Sequence, residues 1–131
     1  MQTWPAELEQ SRLIALAAVN TARVFVQRAI AADTERAARD AAARLIVAGR
    51  DCQRMLAAAT RYKMPSGRWS ARLVALRGLI DERAAGCVRM GDALRVADSA
   101  GRVDHLRAAM TITADAQFFI ECLVAEYGGG F

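Results

Sequence analysis

The chain has 131 residues, 54% of them apolar and 24% charged, enough for one domain spanning 1–131 and too apolar for a disordered tail. Its 2 Pro and 9 Gly are too few punctuators for a many-stranded β fold. Net charge is only +4 with a pI near 9.5, and the bases are 17 Arg with a single Lys, Lys63.

The longest uncharged run, Leu13 to Ala22, falls short of the roughly 18 residues of a membrane span. No cleavage-site pattern follows it. Three Cys, an odd count without C-x-x-C, do not suggest a disulfide framework. These features predict a cytoplasmic protein with free thiols and no membrane association.

Helix 1 is predicted from about Pro5 to Ala32, with Thr3 as N-cap and Pro5 in the first turn. Within it, Leu13-Ile14-Ala15-Leu16-Ala17-Ala18-Val19 is apolar all round, the pattern of a central helix or one covered by a partner. Asp33 or Thr34 caps helix 2, which runs to about Tyr62. Its face of Ala38, Ala41, Leu45, Cys52, Leu56 and Ala59 points to a core. Met64-Pro65-Ser66-Gly67 breaks the pattern.

Helix 3 follows from Arg68 or Trp69 to Asp98. Its seam of Trp69, Leu73, Leu76, Ile80, Arg83, Cys87, Met90, Leu94 and Ala97 alternates steps of four and three. Ser99-Ala100-Gly101 ends it, and Asp104 caps helix 4, which continues to Tyr127 before Gly128-Gly129-Gly130. Its seam is Leu106, Ala109, Thr113, Ala116, Ile120, Leu123 and Tyr127, with Phe118 on the opposite side. Long helices with short links predict an all-α, up-down-up-down four-helix bundle.

Catalytic and metal chemistry find little footing. The single His105 has Arg102 three residues before it, so the paired Glu-x-x-His of a di-iron bundle is missing. No G-x-S-x-G elbow accompanies it. The stretch His105-Leu106-Arg107-Ala108-Ala109 lacks the Gly of a phosphotransfer histidine, and the Arg-x(4–6)-His spacing of helical ribonucleases is missing, since Arg102 lies three residues before His105 and Arg95 ten before it. Folding the helices back about residues 66 and 101 places Cys87 level with residue 45 and Cys122 level with residue 80. Each thiol is then offset from the next by about 10 Å, which predicts separate core cysteines rather than a zinc site. Arg83 falls level with Ala48 and Gly49, where it is read as a paired arginine that fixes helix register. No catalytic residue, metal or cofactor is expected.

Charge placement carries the functional expectation. Residues 34–77 hold ten bases against Glu35, Asp40 and Asp51, whereas residues 78–131 hold five bases and eight acids. At 100° per residue, Arg36, Arg39, Arg50, Arg54 and Arg61 fall within about 60° of one another, opposite the apolar face of helix 2. This stripe runs into Arg61-Tyr62-Lys63 and Arg68-Trp69, where bases and aromatics interleave. A row of guanidiniums suits a phosphate backbone, and an aromatic stacks on an unpaired base. The expected contact set is Arg50, Arg54, Arg61, Lys63, Arg68, Trp69, Arg72 and Arg77, holding RNA or DNA without sequence preference. The alternative is a protein-interaction or assembly bundle without nucleic acid, in which the same acid-free stretch docks an acidic partner. In either case helix 1 and Phe118 are expected to meet other subunits or a second copy.

The last helix, with Leu106-Arg107-Ala108-Ala109-Met110-Thr111 followed by Phe118-Phe119-Ile120-Glu121-Cys122-Leu123-Val124-Ala125-Glu126-Tyr127, is similar to the closing helix of the small helical subunits of CRISPR effector complexes. The resemblance implies a short, non-catalytic, all-α subunit of a ribonucleoprotein. In such a subunit the arginines of helices 2 and 3 contact RNA or DNA.

Overall fold

The computed structural model of the chain describes residues 6–61 and 71–130, with side chains to residue 126. Four helices fill these residues: α1 (Ala6–Ala32), α2 (Glu35–Ala59), α3 (Ala71–Val96) and α4 (Ser99–Gly130). There is no strand among the described residues. The expected Thr3 cap, Pro5, Tyr62, the Met64–Gly67 break and the start of helix 3 lie outside them.

Two-residue links join α1 to α2 and α3 to α4 and force each pair to reverse. Asp33 takes a left-handed conformation at φ 50°, and its N–H donates to the Ala29 carbonyl at 2.9 Å. That geometry closes α1, and a short polar side chain tolerates it. Thr34 then caps α2, its hydroxyl accepting from the Ala37 N–H at 3.2 Å. The next reversal differs from the expected one. Asp98, not Asp104, starts α4: its carboxylate accepts from the Gly101 N–H at 2.8 Å, and its carbonyl accepts from Arg102 at 2.9 Å. Ser99-Ala100-Gly101 is therefore the first turn of α4 rather than a linker. At the far end α4 continues through Gly128–Gly130, because glycine weakens a helix without removing its hydrogen-bond donor.

The helices form a ring in which each packs on its chain neighbours and α4 returns to α1, the α1–α4 seam being the thinnest. This is the up-down-up-down bundle. Every predicted core position of helix 2 is buried, as are Leu106, Ala109, Thr113, Ala116, Ile120 and Leu123 of α4. Thr113 returns its hydroxyl proton to the Ala109 carbonyl at 2.8 Å, which makes a polar side chain compatible with full burial.

The seam of α3 is corrected. Its deepest residues are Leu73, Ile80, Ala84, Cys87, Gly91 and Leu94, while Leu76, Arg83, Met90 and Ala97 lie half-buried on one flank. The reason is glycine. A Cβ on Gly49 would sit 2.6 Å from the Ala84 carbonyl, and one on Gly91 would sit 2.8 Å from the Ala42 carbonyl. The α2 and α3 backbones meet at these two points, and no larger residue fits. The contacts also slide α3 by three residues, about 4.5 Å, from the expected register.

By length and composition, α1 and α4 each contain an 18-residue window apolar enough to cross a membrane, with 28% of each window buried in the bundle. The sequence expectation used uncharged runs, and a window tolerates one or two charges that such a run does not. Core helices of a bundle meet the same test.

Candidate nucleic-acid interface

The α2 helix sorts its side chains sharply. Its buried alanines, Leu45, Cys52, Met55 and Leu56 face the ring, and Arg36, Arg39, Arg50 and Arg54 are all exposed on the other side; α2 ends at Ala59, short of the expected Tyr62, so the exposed Arg61 stands in the turn that follows it. From Arg36 to Arg61 the stripe covers about 38 Å. Between the arginines stand Ala43, Val47 and Ala57, also exposed, which leave a gap of about 16 Å between Arg39 and Arg50, and the exposed Asp40 borders the row beside Arg36.

The arginines are not equally free. Arg39 pairs with Glu35 at 2.5 Å, Arg54 with Asp51 at 3.2 Å, and Arg61 with Glu7 of α1 at 3.0 Å. Arg36 and Arg50 have no carboxylate within ion-pair distance among the described residues. Side chains this open gain little from their partners, on the order of 0–1 kcal/mol. A phosphate can therefore displace Glu35 or Asp51, although the acids reduce the net field of the stripe.

Two further members of the expected set leave the row. Arg72 turns toward α4 and pairs with Glu126 at 3.4 Å. Arg77 lines a groove of about 360 Å³ between α2 and α3, with Leu56, Ala57, Thr60, Val74, Gly78 and Asp81. The groove borders the stripe at Ala57, so Arg77 stays beside the row and Arg72 does not. Lys63, Arg68 and Trp69 lie outside the described residues. Of the expected set, the structure thus gathers Arg50, Arg54 and Arg61 on one face, with Arg77 at its edge. The sequence set omits Arg36, which the same angular arithmetic includes and which is among the least encumbered.

Other arginines have internal roles. Arg44 crosses from α2 to stand over the Phe25 ring of α1 at 4.8 Å, with Arg28 near the same ring at 5.4 Å. Arg83 faces α4 rather than Ala48 and Gly49. It binds Asp115 at 3.2 Å and Glu82 at 3.2 Å, with its guanidinium 5.5 Å from the Phe119 ring. The Asp115 and Phe119 contacts link α3 to α4, so Arg83 is paired as expected, with its partner on α4 and not at the level of Ala48 and Gly49. Phe118 is 60% exposed and stands edge-on to Phe119 at 5.7 Å, on the side of α4 opposite its buried seam.

The thiols are closer than expected. The slide of α3 brings Cys87 against Gly49, where an added Cβ would lie 3.4 Å from the cysteine, one helical turn from Cys52. Burial pushes the Cys52 thiol up to about 12, with a smaller contribution from Cys87. Burial alone pushes Cys87 up to about 11. Both therefore stay protonated and weakly nucleophilic. Among the described residues, no group of three or more His, Cys, Asp or Glu is placed to hold a metal.

No known protein family matches the chain, and no curated protein and no solved structure is similar to it.

Proposed function

We propose that this chain is a non-enzymatic helical subunit that holds a nucleic-acid backbone along the outer face of α2. The observation that carries this reading is the alignment of four exposed arginines on one side of α2, continued by Arg61 in the turn after it, with no acidic partner on Arg36 or Arg50 among the described residues. Such a row neutralises phosphates along a strand and releases their counterions. Contacts to phosphates carry no base information, so binding through this row is expected to be insensitive to sequence. The likeness of the closing helix to CRISPR small subunits makes a guide RNA or its target strand the natural candidate for that backbone.

Titration of a labelled single strand and a labelled duplex at varied salt tests the reading. Engaging about four phosphates makes affinity fall roughly a hundredfold between about 50 and 200 mM salt. Reversing Arg36 and Arg50 to Glu is expected to weaken binding at least about tenfold. Arg72→Glu is expected to leave it near the parent value, because Arg72 lies off the row. Binding unchanged by the Arg36 and Arg50 reversals overturns the site.

A second reading, assembly through protein contacts, is favoured by a different observation. The outer side of α1 leaves Leu13 at 53%, Ile14 at 50% and Val24 at 42% exposure, with no charge between Arg12 and Arg23. Exposed apolar surface of this kind marks an interaction face.

A further inference from the structure

The α1 helix carries two seams. One, Leu8, Ala15, Val19, Ala22, Val26 and Ala29, is buried in the bundle. The other is Gln10, Leu13, Ala17, Asn20, Val24 and Gln27, spaced by alternating threes and fours, and all six residues are exposed. A second heptad seam on a helix that has already filled its first is the pattern of a helix with a further helical neighbour.

The order of residues in this seam says what that neighbour is. Read from its two ends inward, Gln10 corresponds to Gln27, Leu13 to Val24 and Ala17 to Asn20. A two-fold axis between residues 18 and 19 therefore sets amide beside amide and aliphatic beside aliphatic in the outer two pairs of an antiparallel arrangement, with Asn20 opposite Ala17 at its centre. Such self-complementarity is what a two-fold interface between identical chains requires. Amide meets amide at both ends, aliphatic meets aliphatic next, and Asn20 faces the small Ala17, which leaves room for its side chain.

Charge agrees with the same orientation. Glu7 and Glu9 occupy the start of α1 and Arg28 lies near its end. Within the chain Glu9 pairs with Arg12 and Glu7 with Arg61, so an antiparallel copy sets Arg28 of one helix opposite Glu9 of the other as a further partner for an already paired acid, and a parallel copy sets Arg28 opposite Arg28. From Leu13 to Ala22 the helix is uncharged, so nothing opposes close approach in the middle.

We propose that the chain forms a two-fold dimer by antiparallel pairing of α1 through Leu13, Ala17, Asn20 and Val24. The proposal deepens the assembly reading, naming a second copy of this chain as the occupant of the α1 face. It does not depend on whether α2 holds nucleic acid.

Sedimentation of the full chain tests it. The parent is expected to be a dimer. Leu13→Glu with Val24→Glu is expected to raise the dimer dissociation constant at least about a hundredfold, since two unpaired carboxylates would be buried per chain. Circular dichroism of the double variant confirms that the bundle persists, and Val96→Glu, at a position 87% exposed on α3, is the control that leaves the dimer intact. Register is read separately. Ala17→Cys with Asn20→Cys, in a Cys122→Ser background, is expected to give a disulfide-linked dimer on mild oxidation. A monomeric parent overturns both the pairing and self-assembly. A parent that is monomeric and co-sediments with anionic phospholipid vesicles does the same, and makes a lipid surface the occupant. A dimer indifferent to the Leu13 and Val24 substitutions overturns the α1 pairing and leaves assembly standing on another face.

Discussion

The first two helices are nearly equal in length, 27 and 25 residues, and pack on each other, yet they distribute their side chains differently. In α2 the division is sharp: small and apolar residues inside, arginines outside, with Gly49 pressed on α3. In α1 the inner seam is apolar and the outer seam is apolar in part as well. A helix with α2's division has its orientation decided by the monomer, because only one face can be buried at no cost in unsatisfied charge. A helix with α1's division has one face that the monomer uses and another that it leaves over. The two helices share an interface within the core, and the surplus apolar surface of α1 is available for association.

The largest test of this contrast is steric. Gly49→Val places a side chain where its Cβ alone would lie 2.6 Å from a backbone carbonyl, and is expected to destabilise the chain by about 3 kcal/mol in urea denaturation. Ala17→Val, exposed on α1 and made in the Leu13→Glu, Val24→Glu background so that the chain is monomeric, is expected to change stability by less than about 0.5 kcal/mol. Equal losses at the two sites would erase the distinction between the helices.

Next in size is the behaviour of the α2–α3 thiols. Cys52 and Cys87 have folded values of about 12 and about 11, against the ordinary 9.0. Above about pH 9 the unfolded chain releases these protons and the folded chain keeps them, so stability falls as pH rises through that range. Thermal unfolding at increasing alkaline pH is expected to show this decline, and Cys52→Ala with Cys87→Ala to flatten it. Thiol labelling under native conditions is expected to modify the half-buried Cys122 before either of the others.

Smaller effects sharpen the picture at helix ends and on exposed turns. Thr34→Ala removes the hydroxyl that starts α2 and is expected to cost about 1 kcal/mol. Gly78→Ala adds a methyl where nothing lies within 4 Å, and is expected to stabilise α3 by about 0.5–1 kcal/mol. Opposite outcomes for added methyls at Gly49 and Gly78 separate glycines that hold the helices together from one that merely weakens a helix.

Much of the architecture was legible in the residues. The three- and four-residue steps of α2 and α4 named core positions that the structure buries, and Thr34 was readable as a cap. Helix ends were less so. Asp98 and Asp104 are both plausible caps by type, and only the hydrogen bond to Gly101 distinguishes them. The α2–α3 register was also hidden, because spacing along one helix gives no offset against its neighbour. For the candidate interface, the angular arithmetic placed the arginine row, but it could not show which arginines hold carboxylates, since Glu7 meets Arg61 and Glu126 meets Arg72 only through folding.

Sequence alone determined that this protein is a bundle of long helices and that its arginines gather on one side of α2. Both follow from periodicity, a local property of a chain with 3.6 residues per turn. Tertiary structure decided the rest. It set the slide of α3 through two glycine contacts, turned Arg83 and Arg72 toward α4, drew Cys87 to within reach of Cys52, and left one seam of α1 uncovered. These are properties of pairs of helices, fixed by how close two backbones approach, and no single stretch of sequence contains them.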